Sequence, residues 1–145
     1  MLKPAVMLVS TSPEQLGEMA EALKGSDLEI FFARSGEEAL AKIISQPVNL
    51  LVCDFKLSGM NGVRLAQKVR KLFYGVKCLI LISREELRPY LLEVKKQTYF
   101  LPIIYKPLEA EIFARRVIKL IKETPPRGEI ILRLDVAKKF AKQKR

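Results

Sequence analysis

The stretch that decides the fold is Val48-Asn-Leu-Leu-Val-Cys-Asp-Phe-Lys-Leu-Ser-Gly-Met-Asn-Gly62. An apolar run of strand length ends on one carboxylate, Asp54, and gives way to a loop of Ser, Gly and Asn. A run apolar at successive positions suits a strand buried on both faces. Four more such runs occur: Val6-Met-Leu-Val9, Leu28-Glu-Ile-Phe-Phe-Ala33, Val76-Lys-Cys-Leu-Ile-Leu-Ile82 and Phe100-Leu-Pro-Ile-Ile-Tyr105. Pro102 argues that the last lies at a sheet edge, because proline cannot donate to a ladder.

The segments between these runs have helical periodicity. Ser12 with Gln15, and Ser35 with Glu38, are capping-box patterns, and Pro13 suits a first helical position. The first helix carries Leu16, Met19, Ala20 and Leu23, with Gly25 fitting its end. The second runs through Ile44 and stops before Pro47. A third is expected from Gly62 to Tyr74, turning Val63, Ala66, Val69 and Phe73 inward. A fourth is expected from Arg84 to Gln97, started late or broken by Pro89. A fifth runs from Leu108 to Lys122 with Ile112, Phe113, Val117, Leu120 and Ile121 as its apolar stripe. Strictly alternating strands and helices predict an α/β domain, a doubly wound five-stranded parallel sheet with five helices, over residues 1–123. Residues 124–145 read as a Pro-containing linker and basic C-terminal extension. Glu129-Ile-Ile-Leu-Arg-Leu134 is a candidate short strand able to pair with a sheet edge, and a short basic helix is expected from Asp135.

Composition narrows the chemistry. There is no histidine, so His-dependent catalysis is excluded. Cys53 and Cys78 lie inside strand-like runs and nothing resembles Cys-x-x-Cys, so structural thiols in a reducing cytoplasm are expected. No apolar run reaches the ~20 residues a membrane span needs, and the amino terminus has no signal-peptide pattern. Net charge is +10. From Thr124 onward, seven Lys and Arg face Glu129 and Asp135, so about half of that excess belongs to the tail.

In doubly wound sheets, sites form beyond the carboxyl ends of the strands. That rule selects Ser10, Thr11, Asp54, Ser83 and Lys106. These residues, with Leu57-Ser-Gly-Met-Asn-Gly62 and Lys106-Pro107, resemble the receiver domain of two-component response regulators, chemotaxis-regulator-like, over roughly residues 3–123. The resemblance implies the flavodoxin-like strand order 2-1-3-4-5. It implies that Asp54 is the phosphoacceptor candidate, and that Ser83 and Lys106 are the phosphate-contact candidates.

Five positions depart from the family pattern. Ser10 and Thr11 stand where the family has two acidic Mg²⁺ ligands, and Lys56 stands where a backbone carbonyl usually binds that metal. Arg84 replaces a small residue beside the hydroxyl, and Ile103 replaces the aromatic switch residue, with Tyr105 two positions away. Asp54 and Lys106, with Lys56 and Arg84 nearby, give a pocket charge between zero and +2. Losing two carboxylates forfeits several kcal/mol of metal attraction per charge at an effective dielectric of about 20. Glu14 is a candidate to restore one. No cofactor is expected, and Mg²⁺ enters only if Asp54 is phosphorylated, with Asp54 its residual ligand.

The resulting expectation is a cytoplasmic, non-enzymatic signal-transduction module. It is read as a pseudo-receiver that acts through a protein partner, a histidine kinase or downstream signalling protein, without phosphorylation. The alternative is a phosphorylatable response regulator in a phosphorelay. The resemblance puts the partner or homodimer surface on the fourth helix, fifth strand and fifth helix, near Tyr90, Tyr99 and Phe100, for which core packing is the simpler account. Nucleic-acid binding through Lys138-Lys-Phe-Ala-Lys-Gln-Lys-Arg145 is a further reading, less favoured than a solvated tail.

Overall fold

The apolar run at residues 48–54 forms a strand at the centre of a five-stranded parallel sheet. A computed structural model of the chain describes residues 2–95 and 101–133. In chain order the elements are β1 (Ala5–Val9), α1 (Pro13–Ala22), β2 (Glu29–Ala33), α2 (Gly36–Ser45), β3 (Leu50–Asp54), α3 (Gly62–Leu72) and β4 (Phe73–Tyr74). There follow β5 (Lys77–Ile82), α4 (Arg84–Lys95), β6 (Ile103–Tyr105), α5 (Ala110–Lys122), a 3₁₀ turn (Arg127–Glu129) and β7 (Ile131–Leu132). The sheet order is β2-β1-β3-β5-β6, the expected doubly wound topology, and β4 pairs apart from it with β7. β6 is an edge strand, as Pro102 suggested; it begins at Ile103, and Pro102 still accepts from Ile80 N–H.

Period-two alternation splits the core in two. Met7, Leu51, Cys53, Cys78 and Ile80 pack beneath α2 and α3. Val6, Leu8, Leu50, Val52, Leu79 and Leu81 pack with Leu16, Met19, Phe113 and Val117 of α1 and α5. Both faces are therefore covered, which is why these strands read as unbroken apolar runs. Ser12 and Ser35 cap their helices as the sequence predicts, accepting from Gln15 and Glu38 N–H.

Two helices differ from expectation. α3 stops at Leu72, and Phe73–Tyr74 is extended, pairing antiparallel with Ile131–Leu132. Phe73 is buried as expected, but from a strand. Gly75, at φ 101°, then turns the chain towards β5 with a backbone that side-chain-bearing residues rarely adopt. α4 begins at Arg84, where Ser83 and Glu86 cap it reciprocally and Leu87 anchors its first turn in the core, and it passes through Pro89 without a break. The expected continuation to Gln97, Tyr99 and Phe100, and the helix from Asp135, lie outside the described residues.

Residues 124–133 are laid against the amino ends of the central strands. Asn49, buried just before β3, accepts from Ala5 N–H at 2.9 Å and donates to Thr124 Oγ1 (3.1 Å) and Pro125 O (3.0 Å). Arg127 donates to Pro47 O, pairs with Glu29 and stacks over Phe31. Ile130 enters the core, and Arg133 N–H bonds Leu72 O. Asn49→Ala leaves the Ala5 amide and the Pro125 carbonyl without their partner, so a loss of about 2–3 kcal/mol in urea unfolding is expected. A change below experimental error would show that Asn49 does not hold the segment.

Both cysteines are free and fully buried. Burial pushes the Cys78 thiol up to about 12 and raises Cys53 well above the ordinary thiol value, with Cys78 and Asp54 adding to the effect on Cys53. Thiolate is the reactive form. Neither thiol should therefore react with a disulfide reagent until denaturant unfolds the chain, and stoichiometric labelling of native protein would contradict this packing.

Candidate functional site

β3 delivers Asp54 to the carboxyl edge of the sheet, where it is 6% exposed. The loop that follows is held tightly against it. A Cβ on Gly62 would lie 2.7 Å from Asp54 O, and Gly62 N–H bonds Phe55 O. Only glycine permits so close a backbone approach, which accounts for Gly62 at the start of α3. Around the carboxylate the cleft is lined by Thr11, Lys56, Leu57, Ser58, Glu86 and Lys106.

Asp54 has two partners. Ser10 Oγ donates to Oδ2 at 3.2 Å while accepting Ser12 N–H, so one buried hydroxyl ties the Asp to the turn before α1. Lys106 Nζ lies 2.6 Å from Oδ1. That contact neutralises the buried carboxylate. Removing one partner from a buried pair is costly because the other charge stays behind.

Ser83 sits at the carboxyl end of β5, as predicted, but its groups face the chain that follows. Its Oγ accepts Glu86 N–H and its own N–H donates to Glu86 Oε1, both at 3.0 Å. The same Oε1 lies 3.5 Å from Lys106 Nζ. Burial raises the Glu86 acid, but the Ser83 N–H, the Lys106 charge and the Ser83 hydroxyl together outweigh it, holding Glu86 below the ordinary carboxylate value. Glu86 was missed at the sequence level. The signal was present: Ser83-Arg-Glu-Glu86 is a capping box of the same form as Ser35 to Glu38, and such a box folds the fourth residue back to the first.

The structure also places the departures. Ser10 touches Asp54; Thr11 and Lys56 line the cleft. Arg84 swings away, its guanidinium 4.4 Å from the Tyr105 ring centroid. Ile103 packs against the α2–α3 core. Glu14 is exposed on α1 and does not line the cleft. Asp54 and Glu86 against Lys56 and Lys106 make the cleft formally neutral, the lower end of the expected range, reached through Glu86, which the sequence count lacked, and through Arg84 turning away. The donor set is a poor fit for Mg²⁺, which takes oxygen ligands, including carboxylates, in near-ideal octahedra. Both carboxylates here are paired with one ammonium, and β1 ends in hydroxyls. Among the described residues no three Asp, Glu, Cys or His groups cluster as metal ligands.

A doubly wound sheet with an Asp, a hydroxyl and a Lys on the ends of β3, β5 and β6 defines a receiver-type signalling module. The chain belongs to the response regulator receiver domain family, whose model matches residues 6–118. It is 31% identical over 123 residues to the sensor histidine kinase TmoS of Ectopseudomonas mendocina, covering 82% of this chain and 12% of that protein. It is 23% identical over 125 residues to the transcriptional regulatory protein GlrR of Escherichia coli, covering 86% of this chain and 28% of that protein. The chain thus spans under a third of either relative. Among solved structures, it resembles the signal receiver domain of an HD domain-containing protein from Pseudomonas fluorescens, with TM-score 0.76, 17% identity, and 85% and 90% of the two chains covered. It also resembles the chemotaxis response regulator CheY4 of Vibrio cholerae, with TM-score 0.69, 20% identity, and 82% and 99% covered.

Glu86 supplies a pH test. Because its folded pKa is depressed below 4.5, its contribution is fully present above that pH and is lost as pH falls through the folded value. Glu86→Gln should therefore destabilise the domain at neutral pH, and the gap in urea midpoint from wild type should close on acidification. A gap that stays constant with pH would remove Lys106 and the Ser83 amide as the partners of a Glu86 anion.

Proposed function

We propose that this chain is a pseudo-receiver, a signalling domain that works through contact with a protein partner and without phosphorylation of Asp54. The observation that carries the reading is the ion pair at 2.6 Å between Lys106 and Asp54. Phosphoryl transfer builds charge that must be neutralised, usually by metal together with a fixed cation. Here the cation is already shared by Asp54 and Glu86, and hydroxyls occupy the end of β1. Both features leave an incoming phosphoryl group with less positive charge than it needs.

The partner surface we infer is the face of α4, β6 and α5. Leu91, Tyr105 and Ile112 of these elements are large and exposed. Tyr90, which the sequence placed on this face, turns instead toward the loop after β3, its ring edge-on to Phe55 at 4.8 Å and lining a cleft with Met60 and Arg64. A histidine kinase or a downstream signalling protein is the kind of partner that fits a receiver domain, and a cytoplasmic setting suits two unpaired thiols. No helix among the described residues is long and apolar enough to cross a membrane.

The deciding experiment is intact-mass spectrometry after incubation with acetyl phosphate and Mg²⁺, beside an Asp54→Asn control. Unmodified protein at every Mg²⁺ concentration is expected. A single phosphoryl adduct absent from the control would instead establish the phosphorylatable reading, with Asp54 as acceptor and Ser83 and Lys106 as its contacts.

A further inference from the structure

The loop after β3 folds back on itself and faces α4 across a second cleft. Lys56 and Asn61 pair as an isolated antiparallel bridge, and Gly62 N–H bonds Phe55 O at 2.7 Å. Asn61 Oδ1 accepts Arg64 N–H at 2.9 Å, so the backbone at both Lys56 and Arg64 is fixed. Tyr90 of α4 and Met60 line the same cleft, which encloses about 460 Å³. Its charge is one-sided. Lys56 and Arg64 line it and no acidic residue does. Among the described residues neither cation has an ion pair or a side-chain hydrogen bond. Tyr90 is held edge-to-face against the buried Phe55, with centroids 4.8 Å apart and planes at 61°. One ring meets the other by its edge, so at least one face of Tyr90 is left uncovered by Phe55, and the residue is 39% exposed.

We propose that this cleft binds a mononucleotide, with the base stacked on Tyr90 and the phosphate between Lys56 and Arg64. An aromatic face is a sequence-tolerant platform for a base, and a guanidinium grips a phosphate through paired hydrogen bonds. A phosphomonoester carries close to two negative charges at neutral pH, which matches two unpaired cations. A carboxylate from an acidic peptide would match one. Inorganic phosphate would use the cations and leave the ring idle, and a free nucleoside would do the reverse. The volume suits a single small ligand. Lys56 also lines the cleft of Asp54, so the two sites adjoin. The proposal does not depend on whether Asp54 is phosphorylated.

The test is isothermal titration calorimetry of the full chain with adenosine monophosphate, beside inorganic phosphate, adenosine and phosphotyrosine. Saturable binding of adenosine monophosphate is expected, tighter than phosphate or adenosine alone by about ten-fold or more. Tyr90→Leu, which keeps an apolar side chain against Phe55, should weaken it about five-fold or more. Arg64→Gln should weaken it about ten-fold. Lys119→Gln, which removes an exposed cation from α5, should bind like wild type. The proposal is overturned if adenosine monophosphate gives no saturable binding at millimolar concentration, or if inorganic phosphate binds as tightly. It is overturned equally if Tyr90→Leu and Arg64→Gln keep wild-type affinity, or if Lys119→Gln loses as much as Arg64→Gln. Tighter binding of phosphotyrosine would overturn it in favour of a modified peptide.

Discussion

A parallel sheet covered by helices on both faces leaves a polar side chain only the two ends of its strands. The buried polar residues among those described are Ser10, Asn49 and Asp54. Ser10 follows β1, Asn49 precedes β3, and Asp54 closes β3. With water excluded, each must be satisfied by protein groups. Asn49 collects the first strand's amide and the segment after α5; Asp54 collects a hydroxyl and a lysine. The docking of residues 124–133 and the chemistry of the pocket thus answer one packing constraint at opposite ends of the sheet.

The two ends differ in kind. At the amino end a neutral amide is matched by neutral partners, so that end is held by geometry. At the carboxyl end a buried anion requires a cation, and one ammonium serves two carboxylates, 2.6 Å from Asp54 and 3.5 Å from Glu86. The family pattern implies a surplus of acid at this site that a divalent metal would balance. This chain balances its own site internally. Ser83 shows the same inward turn, both its backbone amide and its hydroxyl being engaged by Glu86.

Strand and helix positions were legible because the signals that set them are local: apolar runs for the covered sheet, Ser with Gln or Glu three residues on for helix starts. Glu86 was legible by that rule and was missed because Ser83 was read for its place on a strand end, leaving its place before a helix unread. Phe73 and Tyr74 are a different case. Their spacing continues the periodicity of α3, and nothing nearby contradicts it. The competing interaction comes from Ile131 and Leu132, far along the chain, and tertiary pairing overrides local pattern. Arg84 was placed by its neighbour in sequence, whereas its conformation is set by Tyr105 across the sheet edge.

Asn49 and Asp54 bracket the same five-residue strand, every residue of which is buried. β3 therefore has no loose segment in which to absorb a change of charge or a ligand at its carboxyl end. What can yield there is Lys106, whose side chain is 26% exposed, and the first turn of α4, tied to the site through Glu86 and to β6 through Arg84 on Tyr105. These contacts run from Asp54 through Lys106 and Glu86 to α4, and from α4 to the edge strand β6. Any displacement of the first turn of α4 therefore moves a carboxylate that shares the ammonium neutralising Asp54.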